Sequence, residues 1–369
     1  MSSLSKTKSI EKSRQIEQQF SVLRTALAIL FSLIIAFILI ATVSDNPVRD
    51  FVTLLIGPLK NTSRLTTIVS KCIPLLFTGT AICLVNAAGQ VNIAAEGAFF
   101  GGAVAATMVA IVPGIPLGVH IPLCILAGAA AGAIVMGLPG ILHVRYNVVT
   151  IVAALMINYV ALYLGLYIIL NPLRDPGAGF EASFLFAETT RLPVLFGNER
   201  IHIGLVLGVL AVVAGYFLLY RTGFGLTART VGNNKKCAVY SGMPVGKTII
   251  GISLFAGCLA GIGGTVETLG NYQRFVYGGF TNHGWDGVML AVLCHNKPQY
   301  MSVAALFLAY IRTSADALNF SSSIPPEIIS VIQAVIILLI AAERFLAGWE
   351  HKVIVRNSRK ELEVQGGVK

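Results

Sequence analysis

The run Arg221-Thr-Gly-Phe-Gly-Leu-Thr-Ala-Arg229-Thr-Val-Gly232-Asn-Asn234-Lys-Lys-Cys237-Ala238-Val-Tyr240-Ser-Gly242-Met-Pro-Val-Gly-Lys-Thr248 lies between two long apolar segments, 201–220 and 249–269. It carries Arg221, Arg229, Lys235, Lys236 and Lys247 and no acid. A short cationic connection between membrane spans stays on the cytoplasmic side. Its interleaved Ala, Val, Tyr and Gly residues make it more than a tether. It reads as the surface on which a partner docks, in a transport subunit rather than a channel.

Outward from this loop the chain stays apolar. It has 369 residues, 55% of them hydrophobic and 12% charged, with a mean hydropathy of +0.78. These values describe an all-α polytopic membrane protein. Apolar segments fall at 25–44, 66–88, 93–113, 117–139, 147–170, 201–220, 249–269, 285–296, 299–318 and 325–345. They predict about ten transmembrane helices, some short or broken. Residues 1–24 form a cytoplasmic N-terminal arm, 25–345 the transmembrane domain, and 346–369 a cytoplasmic tail. The loop 221–248 shares that inner side, with both termini. Residues 171–200 and 272–285 fall outside, and 51–59 suits an amphipathic piece lying on the outer surface. The run from Thr25 to Val43 can span a bilayer unaided, so the start reads as a span and not as a cleaved signal peptide.

The net charge of +10 gathers in the arm, the central loop and the tail. Orientation and contact with anionic membrane lipid explain it, and no nucleic-acid partner is expected. Cys72, Cys83, Cys124, Cys237, Cys258 and Cys294 show no C-x-x-C spacing and read as free thiols. Ser241-Gly-Met-Pro-Val-Gly-Lys-Thr248 approaches a phosphate-binding loop, but serine replaces its first glycine and no strand precedes it. His120, His143, His202, His283, His295 and His351 are dispersed. No catalytic residues, metal site or bound cofactor are expected, so the chain reads as a non-enzyme.

Ionisable groups at membrane depth each cost about 2.5–3.5 kcal/mol unless partnered, and so they carry information. Glu96 follows the Gly89-Gln-Val-Asn92 helix break, where Asn92 and Glu96 suit the start of a new helix. Glu267 and Asp286 flank an outer connection, and Arg312 and Asp316 stand four apart on one helix. Asn158 and Tyr159 sit in mid-span, open either to a solute or to helix–helix hydrogen bonding. Asn92, Glu96, Asn158, Tyr159, Glu267 and Asp286 are therefore the candidates for a substrate path. Gly97/Gly101, Gly128/Gly132 and Gly257/Gly261 form small-x-x-x-small ridges suited to close helix packing.

At these residues a family resemblance emerges. Pro74-Leu-Leu-Phe-Thr-Gly79 with Asn86-Ala-Ala-Gly89-Gln-Val-Asn92-Ile-Ala-Ala-Glu96-Gly97 resembles the PLxLTG…AGxxNIGxEGQ signature of bacterial ABC-importer permeases for simple sugars, nucleosides and branched-chain amino acids. Leu155-Met-Ile-Asn-Tyr159 is similar to the family's MLNY span. The run from Arg229 through Gly232, Asn234, Ala238 and Tyr240 to Gly242 resembles its ATPase-facing segment, RAVGxNPxAAxYAGI. Ala256-Gly-Cys-Leu-Ala-Gly261, Leu269-Gly270 and Gly284-Trp-Asp-Gly287 complete the likeness, which covers roughly Leu65 to Phe345. The chain departs at Ala98, Lys235, Cys237, Val148 and His295-Asn-Lys297, where the family carries Gln, Pro, Ala, an acid and Gly-Gly. These departures suit one member of an unequal pair of permeases.

The resemblance implies a permease subunit of an ATP-driven importer, multi-pass in the bacterial plasma membrane, for a nucleoside or a simple sugar. It implies three partners: a cytoplasmic ABC ATPase that uses the ATP, a second permease subunit, and an extracytoplasmic substrate-binding lipoprotein. Arg229, Gly232, Asn234, Ala238, Tyr240 and Gly242 would form the ATPase-coupling segment. The rival reading is an ion-coupled secondary transporter in which Glu96 or Glu267 titrates. The topology has a direct test. A membrane-impermeant maleimide should leave Cys237 unmodified in intact cells and label it in inverted vesicles, and labelling from outside would reverse the orientation.

Overall fold

The computed structural model describes residues 30–195, 201–322 and 324–341. The N-terminal arm, the tail, the first residues of the expected first span and Arg200 lie outside them. All ten apolar segments carry a helix in their described parts. The order is α1 (Leu30–Val43), α2 (Pro47–Ile56), α3 (Thr62–Ala87), α4 (Ala95–Ala110), α5 (Leu117–Tyr146) and α6 (Thr150–Leu170). There follow α7 (Gly204–Arg221), α8 (Gly223–Asn233), α9 (Lys235–Tyr240), α10 (Val245–Asn271), α11 (His283–Leu293), α12 (Met301–Ser321) and α13 (Pro326–Ala341). Among the described residues six helices are long and apolar enough to cross a membrane, namely α3, α5, α6, α7, α10 and α12, while α1 and α4 are shorter apolar helices. α11 has 11 residues and so rises about 16 Å, roughly half a bilayer core.

The chain divides into two compact units, residues 1–58 with 314–369, and residues 59–313. In the first, the 51–59 stretch is largely helical, as α2. Ser44 Oγ donates to Asp50 Oδ2 at 2.7 Å in its opening turn, and Phe51 meets Phe37 of α1 edge to face at 5.2 Å.

The second unit is built around α10, which packs against α5, α4 and α3. α6 lies on α4 and α5, α11 on α3 and α4, and α7 on α3. Local signals set the helix ends. Asn61 caps α3 through the Ser63 N–H at 3.0 Å, and Thr222 caps α8 through Gly225. Asn147, left-handed at φ 54°, closes α5. The two connections expected outside are knit together. Asp175 pairs with Arg274 at 3.1 Å, the Ser183 N–H donates to the Phe275 carbonyl at 3.1 Å, and the Phe186 N–H donates to the Gln273 carbonyl at 2.9 Å.

Small residues decide the α5–α10 crossing. A Cβ on Gly132 would strike the Gly257 carbonyl, and one on Gly261 the Gly128 carbonyl. On α4 the close neighbour is Gly102, which faces the Gly261 backbone, and not Gly101, whose nearest neighbour is the Val135 side chain at 3.4 Å. Backbone atoms cannot yield as a side-chain tip can. Gly261→Val is therefore expected to destabilise the folded protein by about 3 kcal/mol or more, at or above the upper end for overpacking, with Gly101→Ala near neutral. Thermal unfolding of the detergent-solubilised protein reads both.

Candidate functional site

The break between α3 and α4 organises the polar residues. α3 ends at Ala87, Gly89 turns at φ +68°, and the chain re-enters helix at Ala95. Asn92 is buried. Its Oδ1 accepts the Ala94 N–H at 3.1 Å, a turn that leads into α4 and not the expected cap, because Ala94 holds the N-cap position with no side-chain acceptor. Its Nδ2 donates to the Met136 carbonyl of α5 at 2.9 Å. Asn158 of α6 mirrors it. Its Oδ1 accepts the Gly97 N–H at 2.8 Å, and its Nδ2 donates to the Ile93 carbonyl at 3.0 Å. Both halves of that carboxamide are engaged with α4 and its approach. Tyr159, the next residue, is half exposed and lies edge-on to Phe280 at 5.6 Å.

Glu96 departs from the expectation that it caps the helix it opens. Its buried carboxylate accepts the Asn282 N–H at 2.7 Å, the Gly284 N–H at 2.6 Å and the Thr281 hydroxyl at 3.2 Å. These groups begin α11, so Glu96 caps a different helix. Asn282 stands at φ 63° and gives α11 no side-chain cap. The free N–H groups there need an acceptor, and a carboxylate suits the positive end of the helix. Gly284 permits the approach, because a Cβ there would strike the Glu96 backbone. An Asn ahead of an apolar run, as at Asn282, is the sequence signal that marks this helix start.

Asp286, in the same first turn, is buried and accepts from Arg312 Nη2 at 2.5 Å. Arg312, four residues before Asp316 on α12, thus also reaches an acid on another helix. Glu267 is apart from this group. It is buried in α10 with the Asn271 amide and the Lys71 ammonium as polar neighbours, and Asn271 also accepts from Ser70 at 3.1 Å.

The cationic loop is two short helices, α8 and α9, and its residues have distinct placements. Arg229 stacks on the Tyr220 ring at 4.8 Å. Asn234 caps α9 through the Cys237 N–H at 3.0 Å. Ala238 is buried with Val231, Val245 and Ile249, and Gly242 turns the chain at φ +72°. Tyr240 is 90% exposed. Gly232 lies directly on the end of α3, where a Cβ would strike the Ala87 carbonyl and approach the Gly89 nitrogen to 2.9 Å. The loop thus meets, backbone on backbone, the break that leads to Asn92 and Glu96. An open pocket of about 500 Å³ lies against the same break, lined by Gly89, Gln90, His143, Asn147 and Thr150 among others.

The departures from the family pattern also find places. Ala98 is fully buried, and Lys235 and Cys237 are exposed. His295 and Asn296 both take left-handed backbone, at φ 55° and 56°, where a Gly-Gly pair would carry no strain. Asn296 is supported there, as its Oδ1 accepts from Asn86 Nδ2 at 2.8 Å. Beside it, the buried Cys83 and Cys294 thiols lie 3.6 Å apart. Among the described residues no group of His, Cys, Asp and Glu is arranged to hold a metal ion.

Comparison with known proteins agrees with this architecture. The model of a family described as branched-chain amino acid transport system, permease component, matches residues 64–341. The guanosine ABC transporter permease protein NupP of Bacillus subtilis (strain 168) is 32% identical over 288 residues, covering 76% of this chain and 82% of that protein. The glucose ABC transporter permease protein TsgB13 of Haloferax volcanii is 29% identical, covering 86% of this chain and 87% of its own length. The nucleoside ABC transporter permease protein NupB of Lactococcus lactis subsp. cremoris is 28% identical, with 87% and 91% covered. No solved structure matches.

The trans-cap on α11 can be tested by one substitution. Glu96→Gln keeps the shape but removes the charge and turns an NH2 group toward a backbone donor. The expected loss is about 1.5–3 kcal/mol, the value of hydrogen bonds to a charged group. It should appear as a lowered midpoint of thermal unfolding in detergent, and an unchanged midpoint would deny the cap its structural weight.

Proposed function

The chain belongs to the family of permease components of branched-chain amino acid transport systems, and from that premise we propose that it carries a nucleoside inward across the plasma membrane. Its relatives are permease subunits of ATP-driven transporters, and that membership favours ATP-driven transport over the ion-coupled reading. Relatives named for guanosine and for nucleosides support the choice of solute. One named for glucose keeps a simple sugar as the second candidate.

In this reading the chain is the membrane-spanning subunit and hydrolyses nothing itself. Both termini and the α8–α9 segment face the cytoplasm, and a separate ABC ATPase docks around Tyr240, Lys235 and Lys236. A second, unequal permease completes the pore, and a substrate-binding lipoprotein delivers solute to the connections at 171–195 and 272–282. Asn92, Glu96, Asn158 and Asp286 hold the frame of the path, Glu267 belongs to its wall, and Tyr159 offers direct contact. ATP-driven closure of the ATPase dimer moves α8 and α9, alternating access between the two sides. The observation that carries the reading is the seat of Gly232 on Ala87 and Gly89. Through that contact a displacement of the loop reaches the α3–α4 break with no flexible side chain between.

Uptake into proteoliposomes holding the assembled transporter is the test. Guanosine uptake by the wild type should require internal ATP and ignore imposed proton and sodium gradients. Tyr240→Ala should leave the permease folded, because its ring touches little, yet cut ATPase co-purification and uptake by about tenfold, the scale of one lost interface anchor. Gly232→Val drives a side chain into the Ala87 carbonyl, so it should unseat α8, lower the midpoint of thermal unfolding and abolish both ATPase co-purification and uptake. Transport that follows an ion gradient without ATP would defeat the proposal.

A further inference from the structure

Three tyrosines of α6, Tyr159, Tyr163 and Tyr167, recur every four residues and so share one helix face. They are 49%, 66% and 64% exposed. Tyrosine at a span's end is ordinary, since its amphipathic ring suits the membrane boundary. Tyr159 is mid-helix, where a phenol turned toward hydrocarbon would leave its hydroxyl without a partner. Nor does this face suit a tight helix seam. The α5–α10 crossing shows what such a seam requires here, which is glycine against backbone, and bulky rings hold a second helix away. The outward direction of Tyr159 is not accidental either. Asn158 is bonded to Gly97 and Ile93, and this fixes the rotation of α6 about its axis.

A second chain segment converges on the same rings. Phe280 meets Tyr159 edge to face at 5.6 Å, and Tyr163 lies nearly parallel to Tyr159, with centroids 6.4 Å apart and planes 20° from parallel. Two residues after Phe280, Asn282 is exposed, and its backbone N–H is held by Glu96. The Asn282 carboxamide makes no hydrogen bond among the described residues, so it keeps both donor and acceptor capacity.

We propose that Tyr159, Tyr163 and Phe280, with Asn282 beside them, form a stacking subsite for the planar base of the transported solute. The proposal rests on the nucleoside reading above and adds which part of the solute is held and by what. Aromatic rings stack on any base through its π-face, so the subsite accepts purines and pyrimidines alike. The Asn282 amide adds edge hydrogen bonds on one side. Because Phe280 and Asn282 lead straight into the cap that Glu96 places on α11, an occupied platform bears directly on the half-helix.

The experiment measures uptake of guanosine and of glucose by the transporter reconstituted with its ATPase and binding-protein partners. The variants are Tyr159→Ala, Tyr159→Phe, Phe280→Ala and Asn282→Ala, with ATPase co-purification as the check on folding. The expected result is a KM for guanosine raised roughly 5- to 150-fold in Tyr159→Ala and Phe280→Ala, the loss carried by one stacking ring. Tyr159→Phe should stay close to wild type, and free guanine should compete where ribose does not. Photolabelling with 8-azidoguanosine should mark Tyr159 or Phe280. If wild type transports guanosine with the same KM as the folded alanine variants, or the label goes only to other residues, the subsite is overturned while the nucleoside reading stands. If wild type moves glucose and no nucleoside, both fall together.

Discussion

Three helix backbones meet with almost nothing between them where Gly257, Gly261 and Gly264 of α10 face α5 and α4, and the second unit depends on that contact. Lipid tails are as apolar as the side chains they surround, so burial of apolar surface does not drive these helices together. Close approach does. With carbonyls of α5 and α4 occupying the space a Cβ would fill, the three helices hold one mutual position. The start of α4 is then placed tightly enough for Asn92 to reach the Met136 carbonyl and for Gly97 to reach Asn158.

That placement makes a half-helix possible. α11 is too short to span a bilayer, so its N-terminus must be satisfied within the protein. Glu96 supplies the acceptor, and the Gly284 contact brings the two helix starts together. The charges that result are answered locally, with Asp286 taken up by Arg312. Asn92, Glu96, Asn158 and Asp286 are therefore structural joints, and Tyr159 and Asn282 stand exposed on the same frame.

The cationic loop divides its labour along the same lines. Gly232, Asn234 and Ala238 shape it and seat it, whereas Tyr240 and the lysines stand outward. A surface that projects one large ring from a firmly seated two-helix piece is suited to receive a push, and the seat lies on the break that precedes Glu96. The His295–Asn296 pair shows how far the sequence can drift while the backbone keeps its path, since an amide from Asn86 supports a conformation that glycine would adopt unaided.

Composition and spacing alone decided that this is a helical membrane protein, where its apolar helices lie, and that 221–248 is a distinct cationic element, though not that this element holds two short helices. Those properties are local: runs of apolar residues, helix breaks and cap residues are written in consecutive positions. The resemblance to a permease family was legible too, because its motifs are short and ordered. Which polar groups meet was not. Glu96 caps a helix more than 180 residues away, Arg312 reaches Asp286 on another helix, and Gly102 rather than Gly101 makes the close crossing. Tertiary structure decided these because a carboxylate, a guanidinium or a bare backbone binds whatever partner the fold brings within about 3 Å, and sequence separation places no limit on that partner.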